Sequence, residues 1–306
     1  MSLSQLSKNF KRGLARNGLL MFSWAFERLP YSIVHFIMSI FLFIGYQFTI
    51  RQKRTARESL KIAFGDEKSD EEIKKIVKRC FRSFGEGMVE ILYYMSHPEF
   101  ARGKVVFEGK EYIDEAFKKG KGIVAVTAHF GNFPLMMLTC ASEGYPVNSI
   151  IRPTRDKLVE EFLLKKRDQS GVHTVYAQPR KKCVSESLKV LRNNEMLFIP
   201  LDQNFGSSGG VFVDFFGQKA ATATGPAVFA SRTNAEVLLM FIIRQENGMH
   251  KIVVEPPFKM DETSSEEERV QVNIGRMTKR IEEYIRQYPH EWGWMHRRWK
   301  SKQSSG

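Results

Sequence analysis

The order of apolar and polar positions divides the chain into two parts that meet near residue 100. In the first part, the twenty residues Tyr31–Ile50 form an uncharged, strongly apolar run. Further along, Ser69 and Glu72 form a capping box, and apolar residues then recur at three- and four-residue spacing as far as about Tyr94. This pattern predicts a long amphipathic helix.

From residue 104 onward, short apolar runs alternate with segments of helical periodicity. The runs predict seven strands: Val105–Phe107, Ile123–Val126, Val147–Ile151, Val172–Tyr176, Met196–Pro200, Val237–Ile243 and Ile252–Val254. The segments between them predict helices: Tyr112–Lys119, Leu135–Ser142, Asp156–Gln169, Val184–Arg192, Gly225–Arg232 and Ser265–Arg286. Near-continuous apolar strands that alternate with helices favour an α/β fold, with a mostly parallel or mixed central sheet flanked by helices on both faces.

The apolar run Tyr31–Ile50 has the length of a membrane segment. Twenty helical residues extend about 30 Å, which matches the hydrocarbon core of a bilayer. Basic residues lie on both sides, so they set no orientation. We expect an N-terminal membrane-anchoring helix that either spans the bilayer or lies in its interface. A buried core helix is the alternative, and a cleaved signal peptide is not expected because no A-x-A site follows the run.

The net positive charge of the chain is concentrated at its two ends. With 47 Lys plus Arg against 34 Asp plus Glu, the net charge is +13. Residues 1–61 carry +8, residues 290–306 carry +3 and the remaining 228 residues carry +2. We therefore expect a basic membrane-anchor segment over residues 1–60, a single α/β domain over 61–300 and a disordered tail over 301–306.

Composition also narrows the classes of function. A 42% hydrophobic content excludes a disordered chain, and three cysteines outside any C-x-x-C pattern exclude a disulfide scaffold. The basic charge favours an acidic partner, either a nucleic acid, a membrane surface or an acidic carrier protein. No nucleic-acid-binding motif accompanies the charge, so no nucleic acid is expected. The histidines show no paired metal-ligand spacing, so no metal is expected either.

The strongest candidate site follows the strand Ile123–Val126. His129 lies at the carboxyl end of this strand, where α/β sheets bind their ligands. Gly131 and Asn132 form the turn, and Pro134 suits the first turn of the next helix. A histidine beside a helix N-terminus is well placed as a general base next to a developing negative charge. The alternative is a structural histidine whose hydrogen bonds are satisfied within the fold.

Several motifs in order suggest a family. They are AHFGNF at 128–133 with Arg152-Pro153, PLDQN at 200–204, GGVFVDFFGQKAATATGPA at 209–227 and WGWMHRRWK at 292–300. From about residue 20 to residue 300 the chain resembles the bacterial lipid A biosynthesis late acyltransferases, which belong to the lysophospholipid acyltransferase group with its H-x4-D/E motif.

The resemblance implies an enzyme on the cytoplasmic face of the cell inner membrane. It would move a fatty acyl chain from an acyl carrier protein thioester to a hydroxyl of a lipid A precursor or related glycolipid, without a cofactor. The partners implied are the acyl carrier protein, the membrane lipid or glycolipid acceptor and the inner membrane. A lysophospholipid or another hydroxylated lipid as acceptor, or a catalytically silent lipid-binding protein, are the alternatives.

The chain departs from the family motif at one position. His129 matches the catalytic histidine, but the acid expected five residues later is replaced by Pro134. Three explanations remain open. Asp202, which follows the apolar run Met196–Leu201, supplies the carboxylate; His129 works without one; or the protein is no longer an active acyltransferase.

The resemblance also suggests contacts with substrate. Arginines suit the phosphates of a glycolipid, glutamine offers an amide donor to the sugar or the thioester carbonyl, and phenylalanine suits an acyl-chain tunnel. The predicted binding set is Gly131, Asn132, Arg152, Arg155, Gln203, Phe216 and Gly217. A solvated arginine pair, a capping turn and plain core are the respective alternatives for the arginines, the glutamine and the phenylalanine. The tryptophans and arginines of 292–299 predict a membrane interface.

Overall fold

The computed structural model describes residues 26–97, 103–206, 209–262 and 265–302, together with residues 13, 17, 18 and 23. The α-helices in these ranges are α1 Tyr31–Phe48, α2 Ile50–Phe64, α3 Asp70–Tyr94, α4 Lys110–Lys118, α5 Phe133–Ser142, α6 Lys157–Gln169, α7 Arg180–Arg192, α8 Gly225–Thr233 and α9 Glu266–Gln287. Short 3₁₀ turns occupy Gly65–Glu67 and Pro289–Glu291. The strands are β1 Val105–Glu108, β2 Ile123–Thr127, β3 Val147–Ile151, β4 Val172–Tyr176, β5 Met196–Pro200, β6 Val211–Phe215, β7 Gln218–Thr222, β8 Glu236–Arg244 and β9 His250–Val254.

Seven strands form one central sheet in the order β1-β9-β8-β2-β5-β3-β4. Strands β8 and β9 pair antiparallel, and the other neighbours pair parallel. Alternate residues of β2 enter different hydrophobic clusters, Val124 and Val126 in one, Ile123 and Ala125 in the other. Because successive strand side chains point to opposite faces, the sheet is covered on both sides. This confirms the predicted fold class.

The seven strands predicted from apolar runs coincide with β1–β5, β8 and β9. Strands β6 and β7 form a separate antiparallel hairpin. Its second strand, Gln218–Thr222, was missed because its sequence, QKAAT, is neither apolar nor alternating. The capping box at the start of α3 is confirmed: the Ser69 hydroxyl accepts from Glu72 N, and Ser69 N donates to the Glu72 carboxylate at 2.9 Å.

The N-terminal apolar helix α1 is present. Of its residues only Val34 is buried, and its exposed apolar side chains include Phe36, Phe43 and Phe48, with exposed fractions of 67%, 70% and 81%. It rests on α3, where Leu42 lies against Gly85 so closely that a Cβ there would stand 2.6 Å from Leu42 Cδ2. Within the described ranges, α1 is the helix whose length and hydropathy would suffice to cross a membrane.

Helix α2 packs with the main domain. Ala56, Leu60 and Phe64 are buried in one of the two hydrophobic clusters that cover the sheet. The domain boundary predicted at residue 60 therefore falls inside a continuous helix. Most basic residues of α2, such as Arg54 and Arg57, are exposed, and the high charge of this stretch made its buried apolar face hard to recognise in the sequence. Of the predicted tail, residues 303–306 lie outside the described residues.

Candidate active site

Two adjacent parallel strands bring His129 and Asp202 to the same edge of the sheet. Strands β2 and β5 pair with Thr127 opposite Pro200, and Leu201 N donates to Thr127 O at 2.9 Å. His129 and Asp202 each follow the last residue of their strand by two positions. Their side chains therefore leave the sheet side by side, although 73 residues separate them in the chain.

The imidazole and the carboxylate are in direct contact. His129 Nδ1 lies 2.8 Å from Asp202 Oδ1, and the backbone N–H of His129 donates to the same oxygen at 3.0 Å. The side chain of Asp202 is 2% exposed and that of His129 is 31% exposed. With Nδ1 directed at the acid, the second ring nitrogen, Nε2, is the one left to act on a substrate.

This arrangement raises the pKa of His129. Burial disfavours the charged imidazole, but the negative charge of Asp202 and its hydrogen bond outweigh that effect. Burial also disfavours charge on Asp202, yet the contacts with His129 and Trp292 lower its pKa to about 2. Asp202 is thus an anion throughout the physiological pH range, and it stabilises a proton on His129.

The C-terminal segment, predicted to lie at a membrane interface, is instead a wall of this site. Trp292 and Trp294 are 1% and 0% exposed, and Trp292 Nε1 donates to Asp202 Oδ2 at 2.7 Å. The segment pairs with the histidine turn through a Phe130–Trp292 bridge, and Gly293 N donates to His129 O at 3.3 Å. The interface prediction was wrong because tryptophan and arginine suit a membrane surface and a hydrogen-bonded core equally well.

Arg298, in the same segment, is a fully buried cation that joins the loop after Asp202 to the hairpin. Its guanidinium donates to the backbone oxygens of Gln203 and Ala221, at 3.1 and 2.6 Å, and to Thr222 Oγ1 at 2.5 Å. Burial lowers the pKa of Arg298 to about 10, against the opposing charge of Asp202. The bonds fix the backbone directly after the catalytic candidate Asp202.

A second buried polar cluster holds the other end of the histidine turn. Glu90 of α3 receives two hydrogen bonds from Arg244, at 2.7 and 2.8 Å, one from Asn132 Nδ2 at 2.9 Å, and lies 3.2 Å from His250 Nε2. Asn132 also accepts from Leu135 N and so caps α5. Asn132 is 6% exposed and its side-chain polar atoms are bonded within the fold. These bonds give the side chain a role in holding the turn, and its predicted contact with substrate stays a prediction.

The fold requires a glycine at position 131. It adopts φ +56°, and a Cβ at this position would stand 2.0 Å from Ile242 O. Its N–H donates to Glu291 O at 2.8 Å, so the predicted contact with substrate has no free backbone donor at this residue. Glycine is needed here because the turn passes directly against strand β8.

Gly131→Ala is expected to lower the free energy of unfolding by about 2–5 kcal/mol. The left-handed backbone contributes about 1–2 kcal/mol of this cost and the clash with Ile242 O about 1–3 kcal/mol. The matched control is Gly217→Ala, at φ +71° with no atom within 4 Å of its Cβ, which has the backbone cost alone. Denaturant unfolding of both variants tests this: equal losses would show that the close approach to β8 contributes nothing.

The remaining predicted binding residues fall into two groups. Arg152 and Arg155 are exposed after β3, at the same sheet edge as His129, and the Gln203 side chain is exposed beside Asp202. Phe216, by contrast, is 4% exposed and its ring packs against Phe64, Phe215, Trp294 and Trp299. The ring thus lies in the aromatic core, and its contact with an acyl chain stays a prediction.

Gly217 forms the tip of the β6–β7 hairpin, where its N–H donates to Asp214 Oδ1 at 3.0 Å. This bond closes the turn, so the structure gives Gly217 a role in the hairpin. Throughout the described ranges, no three His, Cys, Asp or Glu side chains are grouped as a metal site would require.

Sequence reasoning missed Trp292, Arg298 and Glu90 as parts of the site. The first two lie inside WGWMHRRWK, whose composition predicts a membrane interface and not a buried hydrogen-bonding role. Glu90 is the single charged residue in the last eight of α3, GMVEILYY, and its contacts with Asn132 and Arg244 cross 42 and 154 residues of chain. A lone acid in an apolar helix end is a local signal of a buried carboxylate, but it does not specify the partners.

Comparison with known proteins identifies relatives of the chain. The family described as bacterial lipid A biosynthesis acyltransferase matches residues 17–301. The lipid A biosynthesis palmitoleoyltransferase of Escherichia coli (strain K12) is 25% identical over 286 residues, which cover 91% of this chain and 89% of the relative. The lipid A biosynthesis lauroyltransferase of the same organism is 24% identical over 283 residues, with the same coverage of both chains.

A solved structure, the 1-acyl-sn-glycerophosphate acyltransferase of Thermotoga maritima, aligns with 76% of this chain and 95% of its own. The TM-score is 0.37 and the sequence identity 14%.

Proposed function

The chain belongs to the bacterial lipid A biosynthesis acyltransferase family, and on this premise we propose that it transfers a fatty acyl chain from an acyl carrier protein thioester to a hydroxyl of a lipid A precursor. The observation that carries the proposal is the His129–Asp202 pair at the carboxyl edge of the sheet. The pair supplies the base that acyl transfer to an alcohol requires.

His129 Nε2 accepts the proton of the acceptor hydroxyl while the oxygen bonds to the thioester carbonyl carbon. The tetrahedral intermediate then collapses, the C–S bond breaks, and the sulfur leaves with the proton from Nε2. Asp202 stays ionised throughout and stabilises the imidazolium that forms between the two steps. One proton moves from the hydroxyl to the thiol, so no other reactant is needed.

The acceptor is proposed to bind along the strand ends. In the sheet, β5 lies between β2 and β3, so the residues after β3 stand about 10 Å from those after β2. Arg152 and Arg155 follow β3, are exposed, and have no ion pair among the described residues. Their guanidinium groups suit the phosphate of a glycolipid. Gln203, beside the carboxylate, offers its amide to the sugar or to the thioester carbonyl.

Turnover with defined acceptors tests the proposal. Purified full-length protein is incubated with a labelled acyl carrier protein thioester and one of three acceptors: a phosphorylated lipid A precursor, its dephosphorylated form, or a lysophospholipid. Labelled product on the phosphorylated precursor, with less on the dephosphorylated one, is expected. Product on the lysophospholipid alone would show that the acceptor is a lysophospholipid. Lipid binding without any product would show that the protein is catalytically silent. Either result overturns the proposal.

The enzyme is further proposed to sit at the cytoplasmic face of the inner membrane, held by α1. The exposed apolar side chains of α1 and the cations that follow it on α2 support this, since a membrane offers apolar interior and anionic headgroups in that order.

Replacing Phe36, Phe43 and Phe48 together by Ser is expected to weaken binding to anionic vesicles at least tenfold. A fully inserted ring contributes about 1.5–3 kcal/mol, so the loss of a single such contribution already exceeds the roughly 1.4 kcal/mol of a tenfold change. A matched control replaces three exposed apolar residues elsewhere, Val106, Leu158 and Val272, by Ser. Vesicle cosedimentation measures both. If the two triple variants bind equally, α1 is not the anchor.

A further inference from the structure

Asp202 is held at both of its carboxylate oxygens. Oδ1 accepts from the backbone N–H and the ring of His129, at 3.0 and 2.8 Å. Oδ2 accepts from Trp292 Nε1 at 2.7 Å. A carboxylate bonded through one oxygen can still rotate about its Cβ–Cγ bond, whereas one bonded through both cannot.

The indole of Trp292 is itself fixed. It is 1% exposed, and it packs edge-on against Trp294 and Phe215 with ring centroids 4.6 and 5.6 Å away. Its backbone pairs with Phe130, the residue after His129, and its carbonyl oxygen accepts from Cys80 Sγ at 3.0 Å. The indole ring is thus held in place by its packing, and its backbone is bonded to the histidine turn. Its N–H group is therefore directed at Asp202 in a fixed position.

We propose that Trp292 is a positioning residue for acyl transfer, because its indole N–H holds Asp202 Oδ2 and thereby fixes Oδ1 toward His129. The proposal rests on the function proposed above. His129, Asp202 and Trp292 then form a hydrogen-bonded triad in which only His129 contacts the substrate. The buried N–H also shares the negative charge of the carboxylate, so it limits how strongly Asp202 attracts a proton on His129.

Other charged groups act on the same carboxylate. His296 and Arg298, from the segment of Trp292, both interact electrostatically with Asp202. Burial lowers the pKa of His296; Asp202 opposes this, and His129 and Arg298 add to it. These groups are unchanged when Trp292 is replaced by Phe, so a change in His129 behaviour then reports the lost N–H.

The segment contains its own control. Trp294 is also fully buried, and its indole N–H donates to Pro289 O at 2.5 Å, away from the carboxylate. Trp292→Phe and Trp294→Phe therefore each remove one buried indole hydrogen bond from the same segment. A merely structural role predicts similar behaviour of the two variants.

The pH profile of kcat distinguishes a positioning role of Trp292 from a merely structural role. Trp292→Phe is expected to lower kcat about tenfold. Loss of a hydrogen bond to a group that orients a functional histidine lowers activity by about 10–100-fold, and the expected effect is at the low end of this range. It should also move the acid limb to higher pH, because the carboxylate no longer shares its charge with the indole N–H and attracts the imidazolium more strongly whenever Oδ1 faces His129. Trp294→Phe should not shift the pH of the acid limb. If both variants keep the wild-type limb, or shift it equally, the proposal is wrong.

Nuclear magnetic resonance provides a readout that requires neither turnover nor a variant. In the wild-type protein, the Trp292 indole N–H resonance should shift with the same midpoint as the His129 ring, since both groups share one carboxylate, and the Trp294 resonance should not. A Trp292 signal that is indifferent to His129 protonation overturns the proposal. A wild-type protein that shows this coupling but acylates no acceptor would instead refute the proposed function.

Discussion

His129→Ala is expected to lower kcat for acyl transfer by about 10²–10⁴-fold, the contribution typical of a positioned general base. The variant keeps Asp202 and the sheet edge but has no group to accept the hydroxyl proton. The binding of the lipid acceptor should change little, because the ring acts on the proton and the acceptor phosphate is proposed to bind Arg152 and Arg155. Steady-state kinetics with the carrier thioester measures both quantities.

The matched control is His173→Ala. This side chain is 61% exposed on β4, where its Nδ1 is 3.8 Å from Asp168, and it makes no contact with the pair. Turnover in this variant should equal that of the wild type. Equal activity in His129→Ala and His173→Ala would remove His129 from the mechanism.

Asp202→Asn is expected to lower kcat by about 10²–10⁴-fold, since an amide neither stabilises the imidazolium nor fixes the ring tautomer. The pH dependence has a definite sign. The charge of Asp202 raises the pKa of His129, so its removal lowers that pKa. The acid limb of the kcat profile should therefore move to lower pH, while the activity above the limb is reduced.

A second buried carboxylate controls for stability. Glu282 is fully buried, accepts from Phe216 N at 2.7 Å and pairs with Lys279 and Arg286. Glu282→Gln should reduce stability, as Asp202→Asn does, but leave turnover per folded molecule unchanged. If Asp202→Asn retains wild-type turnover while His129→Ala is inactive, His129 works without a carboxylate. If the wild-type protein is itself inactive, the silent alternative holds.

Pro134 shows how far local reasoning reached. The sequence predicts that a proline suits the first turn of the helix after His129, and the structure places Pro134 there in α5. The lost motif acid left three explanations. The sequence offers Asp202 as the acid because it also follows an apolar strand, and strand ends can meet at one edge. Whether the two strands are neighbours depends on the order of the whole sheet, which no local pattern specifies.

The tryptophan-rich segment shows where such reasoning failed. Its composition predicts an aromatic and cationic membrane interface, whereas Trp292 and Arg298 are buried, with hydrogen bonds to Asp202, Gln203, Ala221 and Thr222. Burial of an arginine without a carboxylate partner is possible only where backbone oxygens converge on it. That convergence joins residues 203, 221 and 298 and exists only in the folded chain.

The sequence alone determined the strands of the central sheet, the long helices, the apolar helix α1 and the position of His129 at a strand end. These follow from periodicity, capping and turn chemistry, which act between residues a few positions apart. Only the tertiary structure decided that β5 lies beside β2, that Asp202 therefore contacts His129, and that Trp292 holds the other carboxylate oxygen. Contacts across 73 and 90 residues depend on how every strand and helix shares one core, and this is a property of the whole packed chain.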